Sequence, residues 1–329
     1  MAEKDAVLKE YQEDPVHFCD FLNGILFQGE AKIFPEQVFS YSGELTKTEF
    51  IQKKELSERG RESSQGLQAV RRLRDHMRLV QTAGGEFLVS IQNQSTVDYG
   101  MALRVMEEDA LEYRRQARIR YGKTMKKGMR LPLVLTIVFY HGERNWTGEE
   151  DMSSLIQAPG NLKELERHIP SYRLLLVTPQ NVKPENFKGD WRCILELLKR
   201  QRDSRQLQAF LEEHLEEYSK LPEDTQKVLC GLIHVLDIYE RLKKEGGEAT
   251  VCTAVREMKK ESREIGRAEG RAEGRAEGRT EGRVEEKLAS IRCIMETLRL
   301  PLEQALAALR ISQKEYKEYQ RALGKRIEE

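Results

Sequence analysis

The sequence predicts an α/β protein, a mixed β-sheet flanked by helices, followed by a charged repeat and a small helical tail. Three observations lead there. The run LVLTIVFYHG (133–142) is the most apolar of the chain and rich in branched residues, as a strand buried on both faces should be. Two strand-like runs, 71–80 and 87–92, are separated by QTAGGE, whose Gly84-Gly85 pair suits a hairpin connection. Finally, IGRAEGRAEGRAEGRTEGRVEE (265–286) places Gly266, Gly270, Gly274, Gly278 and Gly282 four residues apart. No packed core can be built from Gly, Arg, Ala and Glu alone, so the repeat marks a boundary.

In chain order, a first helix is expected over 5–13, ended by Pro15, and a second over 16–27. The segment QKKELSERGRESSQGLQ (52–68) is polar with Gly and Ser and reads as a loop. The hairpin follows. A long amphipathic stretch (99–127) then places Met101, Val105, Ala110, Tyr113 and Ala117 roughly on one face. After the buried strand comes another, YRLLLVTP (172–179), and helices dominate 190–244. Beyond the repeat, Leu302, Ala305, Leu306 and Leu309 fall at helical spacing, and Ser312 with Glu315 three residues on forms a capping-box pattern. The expected division is 1–245 for the main domain, 246–286 for a charged linker carrying the repeat, and 287–329 for the tail.

Composition narrows the function classes. Of 329 residues 39% are apolar and 33% charged, with 55 basic residues against 55 acidic ones. Mean hydropathy is −0.65. Net charge therefore says nothing about partners, and local charge has to. No apolar run approaches the length of a membrane-spanning helix, and the opening MAEKDAVLKEYQEDP lacks the apolar segment of a secretory signal, so a cytoplasmic protein is expected. The five cysteines are scattered, with no CxxC pair, and fit reduced buried thiols better than a zinc site or disulfides.

The chemistry has one candidate location. If residues 80 and 87 flank the turn, 75 pairs near 92, and residues 92 and 94 share a face of their strand. Asp75, Gln92 and Gln94 are then expected on one side of the sheet. Oxygen donors so placed suit a hydrated Mg²⁺ or similar cation beside a scissile phosphate. Taken singly, each residue is an ordinary polar group on a strand. His141, after the buried strand, is read as a strand-end lining residue rather than a general base.

Five segments together resemble a known family. KDAVLKEY (4–11), RDHMRLV (74–80), LVSIQNQSTVDYGMALRVMEEDALEYRRQ (88–116), LVLTIVFYHG and YRLLLVTP are similar, in that order, to the Rpn recombination-promoting nucleases, also called putative transposases, of the PD-(D/E)XK superfamily. The Gly repeat and helical tail resemble that family as well, so the likeness covers nearly the whole chain. It implies a restriction-endonuclease-like sheet and a metal-dependent DNA endonuclease linked to recombination. Asp75 would be the metal-binding aspartate, Asp5 a further carboxylate, and Gln94 would stand where the wider superfamily has lysine. Gln116 would sit where that superfamily often has a polar residue facing phosphate or metal.

Gln92 departs from the pattern, which expects Glu. A carboxamide keeps an oxygen but removes a negative charge, and hard cations are held largely by carboxylate charge. Loss of one such partner costs on the order of 10²-fold in rate. Impaired hydrolysis is therefore expected, the alternative being an inactive DNA-binding or assembly protein. Asp98 is a conceivable substitute, six residues away. DNA contact has its own local signal: YRRQARIRYGKTMKKGMR (113–130) carries eight basic residues and no acidic one. Arg114, Arg115, Gln116, Arg118, Lys123 and Lys126 are the candidate contacts, mostly to phosphate and hence salt-sensitive.

Over 266–285 of the repeat, no opposite charges fall at i+3 or i+4, and glycine disfavours a lone helix. It is either a tether or an oligomerising helix, and the second is favoured because two copies could set an Arg row against a Glu row.

Overall fold

The structure, a computed structural model, describes residues 2–41, 44–51, 66–73, 76–122 and 124–311; for 2–5, 44–51, 66–73 and 76 the backbone alone is considered. It divides into two compact units, 1–257 and 258–329.

The first unit opens with α1 (Ala2–Glu13) and α2 (Pro15–Leu26). Pro15 cannot continue a helix but suits the first position of one. Asp14 accepts a hydrogen bond from the Val16 amide at 2.7 Å, capping α2. Strands β1 (Val38–Ser40), β2 (Glu44–Ile51), β3 (Gly66–Leu73), β4 (His76–Thr82) and β5 (Gly85–Gln94) follow, then α3 (Met101–Tyr121), β6 (Leu133–Tyr140) and β7 (Leu175–Val177). Five short helices follow: α4 (Trp191–Arg200), α5 (Ser204–Glu213), α6 (Leu215–Ser219), α7 (Glu223–Leu232) and α8 (Leu236–Lys244).

One sheet has the order β1-β4-β5-β6-β7, and β2 pairs only with β3. β4 runs antiparallel to β1 and β5, while β5, β6 and β7 are parallel, so the sheet is mixed and flanked by helices as expected. The single run expected over 71–80 is instead two strands in two sheets. The hairpin is also tighter than QTAGGE suggests. Thr82 pairs with Gly85, leaving Ala83 and Gly84 as the turn, and Gly85 takes φ +136°, which favours glycine. The segment 52–65, within the expected loop, lies outside the described residues.

The two faces of β5 meet different partners. Val89 and Ile91 point to the side of α1 and α2, where Phe21, Phe139 and Trp191 pack edge-on and tilted at 4.4–5.6 Å between centroids. Gly24 on α2 lets the Phe187 ring pack beside Phe21, since a Cβ there would lie 2.5 Å from that ring. Leu88, Ser90 and Gln92 point to α3.

The second unit contains most of α9 (Val251–Leu298) and α10 (Leu302–Ala308). The repeat is helical throughout. Leu288 and Ile291 pack with Ala305, Leu306 and Ile311. Ser312 and Glu315 lie outside the described residues. No helix among the described residues is long and apolar enough to cross a membrane.

Candidate functional site

α3 joins β5 to β6 and covers one face of both. Its first turns are apolar there: Met101, Ala102 and Val105 pack with Val138. From Glu108 onward the inward face turns polar, with Glu108, Asp109, Glu112 and Gln116 all buried. Of the apolar face expected from the sequence, Met101 and Val105 are buried and Tyr113 packs against Leu88 and Val134, whereas Ala110 is exposed. Helical geometry explains the difference, because residues 101, 105, 108, 112 and 116 fall on one stripe at 3.6 residues per turn.

Each inward carboxylate meets a donor on a neighbouring element. Asp109 accepts from the Thr136 hydroxyl of β6 at 2.6 Å and from the Tyr172 hydroxyl at 2.5 Å. Glu112 accepts from the Tyr41 hydroxyl at 2.8 Å and lies 3.3 Å from Arg115 Nε. Burial first, and then the bond to Glu112, push the Tyr41 hydroxyl up to about 12, so it stays a donor across the neutral range.

Gln92 sits in the middle of this layer, 4% exposed. Its Nε2 donates to Glu108 Oε2 at 2.5 Å, and its Oε1 accepts from Arg104 at 3.0 Å. The other arm of Arg104 reaches Asp98 at 3.0 Å. The result is a continuous chain, Asp98–Arg104–Gln92–Glu108, in which the carboxamide lies between a cation and an anion. A carboxamide suits that position because one end accepts and the other donates. Asp98 thus serves Arg104 instead of standing in beside Gln92.

Gln94, two residues on, is on the same face at the end of β5, and its carbonyl accepts from the His141 amide at 2.9 Å. His141 is buried at the end of β6, and its own carbonyl accepts from Gln201 at 3.1 Å. The next strand residue shows how strictly the two faces are separated: Asn93 exchanges hydrogen bonds of 3.2 and 2.8 Å with Gln12 of α1. The hairpin register is described as far as His76 with Ile91. Asp75 and Lys123 lie outside the described residues, and for Asp5 only its place on α1 is described.

The described donor set does not fit a divalent cation. Gln92 Oε1 is bonded to a guanidinium, Glu108 to the Gln92 amide, and among the described residues no three His, Cys, Asp or Glu side chains form a group that could hold a metal ion. Along the C-terminal half of α3, Arg114 and Arg118 are exposed, as is Lys126 beyond it. Arg115 is half-buried, its guanidinium 4.7 Å from the centre of the Tyr41 ring. Arg120 pairs with Glu86 of β5, and this holds the Glu86 carboxyl below the usual carboxylate range. Gln116 is buried instead of facing outward.

Arg104, Glu108, Asp109 and Glu112 were not among the residues expected at the site. Their one sequence signal is the continuation of the Met101–Val105 stripe in charged letters, which apolar periodicity passes over.

Residues 71–228 match the family described as "Putative transposase, YhgA-like", a finding consistent with the nuclease-superfamily resemblance of the sequence. No curated protein and no solved structure matches the chain.

Proposed function

Since residues 71–228 belong to the YhgA-like putative transposases, we propose that this chain binds DNA and acts in its rearrangement, with a metal-dependent endonuclease centre at β4 and β5 that is impaired. The impairment rests on Gln92. A neutral amide bonded between Arg104 and Glu108 supplies no charge to a cation and leaves its oxygen occupied. Asp75 and Asp5 are the carboxylates the proposal assigns to Mg²⁺ or a similar ion, which when bound would supply an activated water for phosphodiester hydrolysis. Gln94 is assigned to orienting groups at the strand end. The exposed Arg114, Arg118 and Lys126 neutralise phosphates, giving salt-dependent contact with little base readout. Arg115 and Gln116 support that face from inside. Self-association through the repeat is a further part of the proposal. Its basis is the four-residue spacing of glycine, arginine and glutamate in the repeat, which would let two copies approach closely with an Arg row against a Glu row.

A plasmid-nicking assay with Mg²⁺, paired with gel retention at low salt, tests this reading. All variants are expected to retain DNA. The parent chain should nick slowly or not at all, and Gln92→Glu should nick at least about tenfold faster, consistent with the worth of a charged group at a reacting centre. Adding Asp75→Ala to Gln92→Glu should abolish that gain. Nicking by the parent as fast as by Gln92→Glu would overturn the impairment, and absence of DNA retention would overturn the DNA reading.

A further inference from the structure

Strands β5, β6 and β7 are parallel, so their carboxyl ends open at one edge of the sheet, where ligand crevices form in such sheets. A cavity of about 670 Å³ lies there, between the segment that follows β5 (95–99) and the one that follows β6 (141–147). Its volume falls within the roughly 300–1,000 Å³ of small-molecule sites. Polar contacts hold its rim in place. The Tyr99 hydroxyl lies 3.3 Å from the Thr147 hydroxyl and so bridges the two segments. Asp98 accepts from the Gly100 amide at 2.9 Å and from Arg104 at 3.0 Å, which fixes the chain on either side of Tyr99. Arg202 donates to the Glu143 carbonyl and, at 2.6 Å, to Asn145 Oδ1.

The groups that remain accessible select the ligand. Tyr99 is 64% exposed and tethered at its hydroxyl, so its ring is both presented and held. An aromatic face in that position can stack on any nucleobase. Arg144 is exposed and has no ion-pair partner among the described residues. Asn145 is exposed as well. Arg202 occupies its Oδ1, which leaves its Nδ2 donors uncommitted among the described residues. A guanidinium and an amide donor suit a phosphate, which offers acceptors. Glu143 is the sole carboxylate of the lining and pairs with His234 at 3.8 Å. An aromatic face beside donors for phosphate is the recognition chemistry of a nucleotide, and stacking of this kind carries no strong base preference.

We propose that this crevice holds one unpaired nucleotide of a DNA strand, its base stacked on Tyr99 and its phosphate on Arg144 and Asn145. The proposal rests on the DNA reading above and adds to it a preference among DNA forms. In an intact duplex the faces of the bases are covered by their neighbours, and turning one out is costly. DNA with a single-stranded tail should therefore bind ahead of the same duplex with a blunt end, whatever the sequence of the tail.

The test uses the full chain and two fluorescein-labelled hairpin duplexes, one blunt and one with a short single-stranded tail, read by anisotropy at low salt. The parent is expected to bind the tailed probe about tenfold more tightly, the worth of one stacked base. Tyr99→Leu should bring that ratio close to one, and Tyr99→Trp, which keeps a stacking face, should restore it. Arg144→Ala should lower the ratio and reduce the salt dependence of tailed-probe binding by about one phosphate contact. Both side chains are exposed, so these variants should melt as the parent does. Equal affinity of the parent for the two probes, or a tail preference that survives Tyr99→Leu, would overturn the proposal and leave the DNA reading standing. If the parent binds neither probe, the DNA reading fails, and deoxyadenosine monophosphate alone decides the crevice. A rise in melting temperature that Tyr99→Leu abolishes would then keep a nucleotide site there, and no rise would overturn it.

Discussion

α3 and α9 are both long and highly charged, yet they place that charge in opposite ways. α3 turns Glu108, Asp109 and Glu112 inward, while α9 exposes every residue from 262 to 287. Helix propensity does not separate them, since Glu and Arg are good helix formers in both. The neighbours do. α3 lies against strands and loops that offer a hydroxyl or amide to each carboxylate: Gln92 to Glu108, Thr136 and Tyr172 to Asp109, Tyr41 to Glu112. The repeat in α9 has no such surface among the described residues of its own unit. Charge is buried only where hydrogen-bond donors already wait for it.

The sharpest test of this contrast is deletion of one carboxylate from each helix. Asp109→Ala leaves the Thr136 and Tyr172 hydroxyls without their acceptor and should cost about 2–4 kcal/mol in denaturant unfolding. Glu273→Ala should change stability by less than about 0.5 kcal/mol. Equal effects would break the comparison.

Glycine gives the next largest effect. Gly274→Ala should stabilise α9 by about 1 kcal/mol if that face is bare, measured by thermal melting followed by circular dichroism. If the glycine stripe instead packs against a second copy, the same change should lower the apparent mass in light scattering and reverse the gain.

How far the sequence could be read differs between these regions for physical reasons. The buried strand β6 was legible because eight consecutive residues, LVLTIVFY, suit only a strand covered on both faces. The hairpin was legible because Gly84-Gly85 interrupts two apolar runs, and Val80 does pair with Phe87. Past Val105 the inner face of α3 was legible only at Tyr113, which packs on Leu88 and Val134, because buried carboxylates look like surface residues until their partners are placed in space. The split of 71–80 into β3 and β4 was not legible either, since strand propensity does not say which sheet a segment joins. At the site, Gln92 was identified from the family pattern, but its partners Arg104 and Glu108 lie 12 and 16 residues away and had no local signal.

The smallest predicted effect concerns the pair that Arg120 of α3 forms with Glu86 of the hairpin. The bond from Arg120 depresses the Glu86 carboxyl, so the pair's contribution is present above the ordinary glutamate value, about 4.3, and is lost as pH falls through the lowered folded value. Both side chains are partly exposed, so Glu86→Gln should cost less than about 1 kcal/mol at neutral pH and nothing once Glu86 is protonated. A difference between parent and variant that persists at low pH would assign Glu86 another role.

The central claim is that Gln92 links Arg104 to Glu108 in an Arg–amide–carboxylate chain instead of serving as a metal ligand. Isothermal titration of Mg²⁺ into the parent chain and into Gln92→Glu tests it most directly. The substitution sets a second carboxylate against Glu108, and two carboxylates at that separation favour a shared proton or a cation. The expected result is weak or no binding by the parent, clear binding by Gln92→Glu, and a melting temperature for the variant that is lowered without Mg²⁺ and restored by it. Tight Mg²⁺ binding by the parent, unchanged in Gln92→Glu, would contradict the account.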